Sequence, residues 1–196
     1  MVGLAALFNA ASSGCHCRYW FFEGTKNDWL ARSAFEPETN RQELAEELAT
    51  SGLSGMVAET SEAHGATTQI VGWMRVTERA RVPRLRNLPV YRMLDLGDDA
   101  SVASISCFLV HPMHRGQGVA HALLRAVTDL LGNTHDLEAY PRRAMEAQRL
   151  SDEEAWLGPL ALFAAHGFAP LPQRPLPGGP FAACTDTYPV YRRPRT

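Results

Sequence analysis

Residues Ser101–Asn133 read SVASISCFLVHPMHRGQGVAHALLRAVTDLLGN, and this stretch decides the fold. Val102 to Val110 is apolar and rich in β-formers, the pattern of a strand covered on both faces. Pro112 stops it, because proline cannot continue a central ladder. Beyond Arg115-Gly116-Gln117-Gly118 the period changes to that of a helix. Val119, Leu123, Val127 and Leu130 fall on one stripe, widened by Ala120, Leu124 and Leu131, while His121, Arg125, Thr128 and Asp129 fall opposite. Gly132-Asn133 supplies the stop.

A strand, a glycine turn and a helix start make an anion site. The first N–H groups of a helix lack partners within it, and its dipole favours negative charge there. Gly116 and Gly118 remove side chains that would hold a phosphate off, and Ala120 is nearly as small. Arg115 adds a forked cationic donor. The loop is not a P-loop, since no Lys-Ser/Thr follows the glycines. It is not a dinucleotide fingerprint either, because His121 stands where the third glycine is needed for helix–strand packing. An ordinary turn between strand and helix is the plainer alternative.

The remaining pattern, Arg115-x-x-Gly118-x-Ala120, resembles the Q/R-x-x-G-x-G/A motif of the GNAT N-acetyltransferase family. Leu160 to Phe168, LALFAAHGF, resembles that family's later A-L-Y-x-x-x-G-F motif, and Glu138-Ala139-Tyr140-Pro141 resembles the fifth strand of a bacterial branch whose substrate is unknown. The resemblance covers Val57 to Phe168 and is poor before residue 50. It implies an α/β (α+β) fold: one mixed, mostly antiparallel twisted sheet of about six to seven strands, a splayed parallel central pair, and helices on both faces. It implies acetyl-coenzyme A as co-substrate and direct transfer of the acetyl group to an amine of a small molecule or a protein. Arg115, Gly116, Gln117, Gly118, Val119 and Ala120 would hold the pyrophosphate, and the backbone of Phe108, Leu109 and Val110 would pair with the pantetheine arm. Phe163 stands where the family often has the tyrosine that protonates the departing thiolate. It would pack on the pantetheine or in the core, leaving water or Tyr140 as proton donor. A coenzyme A-binding sensor or scaffold without transfer remains the alternative.

Other features bound this reading. A chain of 196 residues suits a single domain over 1–196, with an atypical segment at 1–50 and a charged insertion at 142–156. The net charge of -2 gives no footprint for nucleic acid, and no apolar run reaches the length of a membrane span. With no basic n-region at the start, a cytoplasmic location is expected. A homodimer is compatible with the pattern. Cys15-His16-Cys17 has no second ligand pair, so no metal is expected. If the segment were a strand, both thiols would share a face.

Along the rest of the chain, Val2–Phe8 and Cys15–Phe22 read as strands. Asn27–Ser33 reads as a helix capped by Asn27 with Trp29 and Leu30 buried, and Thr39–Ser51 as a helix with a Thr39/Gln42 capping box. Gly55–Glu59 and Gln69–Thr77 form a hairpin. Arg79–Asp99 reads as an irregular surface connection. Leu137–Pro141 reads as a strand parallel to the first, Gly158–Phe168 as a helix and Tyr188–Arg193 as a final strand. In Leu137–Pro141, Glu138 and Tyr140 share a face. A carboxylate beside a phenol is the candidate catalytic pair for moving the substrate's proton; ordinary strand residues on a partly solvated face are the alternative. Glu59, His111 and His114 are weaker candidates.

Overall fold

A computed structural model of the chain describes residues 2–50, 52–61, 68–87, 91, 96–142, 155–171 and 189–196. Among these residues six strands form one sheet: β1 Gly55–Ser61, β2 Thr68–Glu78, β3 Val102–Val110, β4 Asp136–Ala139, β5 Ala169–Pro170 and β6 Tyr191–Arg193, in the order β1-β2-β3-β4-β6-β5. Every neighbouring pair is antiparallel except β3 and β4. The helices are α1 Val2–Ala10, α2 Lys26–Phe35, α3 Pro37–Thr50, α4 Pro83–Asn87, α5 Val119–Leu131 and α6 Leu160–Ala164.

Helix α5 covers one face of the sheet. Its Leu123, Leu124 and Val127 pack with Met74, Val76, Ala103, Ile105, Phe108, Leu137 and Ala139. Leu131 joins this core, but Leu130 is 64% exposed. The buried stripe is therefore 123, 124, 127, 131, rotated toward the Leu124–Leu131 side of the one read from the sequence. Gly72 of β2 lies under this helix. A Cβ there would come within 2.5 Å of Val119 Cγ1, so the missing side chain sets how closely α5 approaches. Leu4, Leu7 and Phe8 of α1 and Leu44 of α3 cover the other face, packing with Trp73, Cys17 and Cys107.

Two segments depart from the sequence reading. Val2–Phe8 is part of α1 rather than a strand; a short apolar run fits either element, and here the sheet face needs a lid. Cys15–Phe22 is a turn followed by a 3₁₀ helix over Tyr19–Phe21, not a strand. Its aromatics find partners of their own instead of a ladder. Trp20 Nε1 donates to the Ser106 carbonyl at 2.9 Å, and the Arg84 guanidinium lies 4.5 Å from the Tyr19 ring.

Helix boundaries shift as well. Thr25, not Asn27, caps α2, in a capping box with Asp28; Trp29 is buried but Leu30 is exposed. Helix α3 starts at Pro37, two residues before Thr39. Helix α6 is shorter than Gly158–Phe168. The connection after β2 is no plain surface loop: Arg79, Val82, Arg84, Leu85 and Tyr91 are all buried. Residues 143–154 and 172–188, with most of the charged insertion, a run rich in proline from Pro172 to Pro180, and Cys184, lie outside the described residues.

Candidate active site

Strands β3 and β4 run side by side from Val102↔Asp136 to Ile105↔Ala139, and their pairing ends there. Strand β3 continues to Val110, paired only with β2. Its register against β2 jumps at this point: Arg75 faces Cys107 while Val76 faces Ile105, so Ser106 is an extra residue. Such a bulge bends a strand and shifts which face its side chains take. Ala103 and Ile105 pack toward α5, and beyond the bulge Phe108 does so. Among the described residues the β4 side of Phe108, Leu109 and Val110 has no strand partner, so a polar chain laid there can use their backbone groups.

The loop that follows is fixed by its own hydrogen bonds. The His111 N–H donates to the Val71 carbonyl at 2.8 Å, and His111 Nδ1 accepts from the Met113 N–H at 3.3 Å, opening a 3₁₀ turn at Pro112–His114. Arg115 Nε donates to the Val110 carbonyl at 3.3 Å, and Gln117 Nε2 to the Met113 carbonyl at 2.9 Å. Gly116 and Gly118 hold φ values of +71° and +82°, in the left-handed region that other residues avoid. A Cβ on either would meet nothing within 4 Å. Their demand is therefore conformational, and the space in front of the backbone is open. Gly118 caps α5 with no side-chain hydrogen bond, so the N–H groups of the first turn receive no side-chain acceptor from the cap.

On the opposite face, where β3 and β4 part, the interior is ionic. Glu138 is fully buried. Arg79 Nη1 donates to its two oxygens at 3.1 and 3.3 Å, Arg192 Nε to Oε2 at 3.0 Å, and the Tyr140 hydroxyl to Oε1 at 2.8 Å. Ser104 Oγ lies 2.7 Å from the same hydroxyl and serves as its donor. Arg79 also donates through Nε to Asp99 at 2.7 Å and through Nη1 and Nη2 to the carbonyls of Leu96 and Gly97 at 3.0 Å each. Burial first, and then the neighbouring Glu138 carboxylate, pushes the Tyr140 phenol well above its ordinary pKa. Tyr140 therefore keeps its proton at any physiological pH. Glu138 and Tyr140 do share a face, but it is an interior one rather than a partly solvated strand surface.

Arg79, Arg192 and Ser104 are the partners that the sequence does not single out. Only Ser104 has a local signal, since it sits opposite Glu138 in the parallel register. Phe163 is fully buried, edge-on to Phe108 at 5.9 Å and to Phe168 at 5.4 Å. It is thus a core residue with no exposed face in this structure. Glu59 lies in edge strand β1, which pairs with β2 alone and is remote from the parting of β3 and β4 in the strand order. His111 and His114 stack edge-on beside the loop at 5.5 Å. Among the described residues no group of three or more His, Cys, Asp or Glu side chains is arranged to hold a metal ion, and no helix is long and apolar enough to cross a membrane.

The family model of the GNAT acetyltransferases matches residues 22–142, from the end of the aromatic segment to just past β4. The chain belongs to this acetyltransferase family. Among solved structures, the fold of this acetyltransferase is like that of a histone acetyltransferase HPA2 and related acetyltransferase from Corynebacterium glutamicum, with a TM-score of 0.54 and 14% identity over 100% of this chain and 93% of that one. The PaiA N-acetyltransferase of Thermoplasma acidophilum, crystallised with coenzyme A, aligns with a TM-score of 0.46 and 10% identity over 97% and 92% of the two chains. The ribosomal-protein-S18-alanine N-acetyltransferase of Escherichia coli aligns at 0.39 and 14% over 76% and 72%. No curated protein matches the acetyltransferase by sequence.

Proposed function

We propose that this acetyltransferase moves an acetyl group from acetyl-coenzyme A directly to a primary amine of a small molecule or a protein, both substrates being bound together. One observation carries the reading: a left-handed double-glycine loop opens α5 beside the unpaired stretch of β3. The loop amides, the Arg115 guanidinium and the first turn of α5 would hold the diphosphate. The backbone of Phe108–Val110 would receive the pantetheine, and an N–H there aimed at the thioester oxygen would stabilise its developing charge by a few kcal/mol.

Attack requires a neutral amine. Glu138 has its oxygens engaged by two guanidiniums and a phenol, so we assign it the alignment of Tyr140, with proton loss from the amine passing through water. The departing thiolate would take its proton from water or from Tyr140, whose buried hydroxyl must first leave its hydrogen bond to Glu138 Oε1. Phe163 has no proton to give. A thiolate is a tolerable leaving group, with thiol pKa values near about 8.5, so this role is worth less here than in amide hydrolysis.

The deciding experiment is calorimetric titration with acetyl-coenzyme A. Gly118→Trp should weaken binding at least tenfold, and unchanged affinity would remove the loop from the site. A thiol-release assay over an amine panel then tests transfer. The fully buried Phe163 and the tightly engaged Glu138 favour one second reading, a coenzyme A-binding module without turnover. Tight binding with no thiol released from any amine would select it.

A further inference from the structure

Three sulfur atoms gather behind the central strand, and acetyl transfer as proposed uses none of them. Cys107 precedes Phe108 on β3 and packs toward α1 and α3. Cys17 arrives from the turn between α1 and α2. Both are buried, and their Sγ atoms lie 2.7 Å apart although 90 positions separate them in the chain. A covalent S–S bond is about 2.05 Å, so the pair stands closer to bonding distance than to ordinary contact. Cys15, half-buried, contributes a third thiol, hydrogen-bonded to Cys17 and 3.3 Å from Ser13 Oγ.

The backbone is held in a costly shape to bring this about. His16 and Cys17, neither of them glycine, take φ values of +44° and +54°. Consecutive left-handed residues persist only where their surroundings over-determine them. Here the His16 ring packs on Phe8 at 4.5 Å, Arg18 is bound to Glu43 at 3.0 Å, and Trp20 is bound to the Ser106 carbonyl. The segment is thus anchored on both sides of Cys17, with its sulfur turned onto Cys107.

We propose that Cys17 and Cys107 are a disulfide-forming pair whose oxidation bolts the 15–22 segment onto β3 beside the bulge. The bond does not rest on the function proposed above. The oxidant is a peroxide. One sulfur attacks a peroxide oxygen, the O–O bond breaks, water leaves and a sulfenic acid remains. The second sulfur displaces the sulfenic oxygen, the S–S bond forms and a second water leaves. Two thiols are oxidised by two electrons and one peroxide is reduced. Cys15 is the most solvent-accessible of the three. A sulfenic acid formed there reaches the same product when Cys17 displaces its oxygen as water and Cys107 then attacks Cys17, releasing Cys15 as a thiol.

The test is peptide mapping of the full chain after native treatment with hydrogen peroxide, with free thiols alkylated on denaturation. A Cys17–Cys107 link, reversed by dithiothreitol, is expected. With so long a loop closed, Tm should rise by about 10 °C. Cys15→Ser should still give the link, and Cys107→Ser should abolish both the link and the rise in Tm. Recovery of both residues alkylated, or a final link from either to Cys15 or Cys184, would overturn the assignment. If a serine variant fails to fold, the map of the unaltered chain decides. The mapping needs no acetyl-coenzyme A, so its outcome is separate from whether the loop binds it.

Discussion

Gly118 separates two costs that are often merged. At its φ of +82° a Cβ meets no neighbouring atom, so Gly118→Ala should lose only the conformational preference. That is about 1 kcal/mol of stability, read from chemical denaturation. Glu138 behaves in the opposite way. Glu138→Gln keeps the shape but leaves Arg79 and Arg192 without their shared counter-charge inside the protein. Breaking a buried pair from one side costs about 3–5 kcal/mol, so the denaturation midpoint of this variant should fall sharply. Its Tyr140 partner is a gentler probe. Tyr140→Phe should lower kcat while leaving acetyl-coenzyme A affinity unchanged, and an unaltered kcat would remove the phenol as proton donor. His16 adds a pH term. Burial, and then the charge of Arg41, lowers its pKa below the ordinary imidazole value. The unfolded chain then binds more protons, so stability should decline as pH falls from 7 through about 6.5 and level off below the folded value. His16→Gln should flatten that part of the stability–pH curve.

At the scale of elements, Gly72 couples the sheet to the loop. A methyl at this position collides with Val119 at the first position of α5 and presses on Leu123 at 3.2 Å. Gly72→Ala should destabilise by about 1–3 kcal/mol and also weaken acetyl-coenzyme A binding, because the helix start must shift. Calorimetry on the folded variant checks the second effect. The β3–loop–α5 unit was legible in the sequence because each of its signals is local: an apolar run, a proline, two glycines and a change of period. The hairpin and β4 were legible for the same reason. Cys15–Phe22 was not. Aromatic residues favour strands on average, but Trp20 and Tyr19 are used here for a carbonyl and a guanidinium that lie far away in sequence. The left-handed conformations of His16 and Cys17 leave no mark in composition. Arg79 was hidden for a related reason: an arginine in a polar stretch looks exposed until its carboxylate partner, 59 positions further on, is known.

Across the whole molecule, the final strand closes the ionic cluster as well as the sheet. Strand β6 pairs with both β4 and β5, brings in Arg192, and is preceded by the buried Val190. Removing residues 189–196 should cost an amount comparable with the net stability of a typical domain, about 5–15 kcal/mol. The expected result is loss of the cooperative thermal transition followed by circular dichroism.

Arg79 follows the end of β2 and grips Glu138 of β4 one residue before β3 and β4 part, so the sheet is pinned beside the point from which two of its strands diverge. The arrangement works like the rivet of a pair of tongs. A guest wedged into the jaws would pry against these ion pairs as well as against the last rung of the ladder, Ile105 and Ala139. Loosening the rivet with Glu138→Gln should therefore let the jaws gape, seen as faster hydrogen exchange at the Ile105 and Ala139 amides than at those of β1.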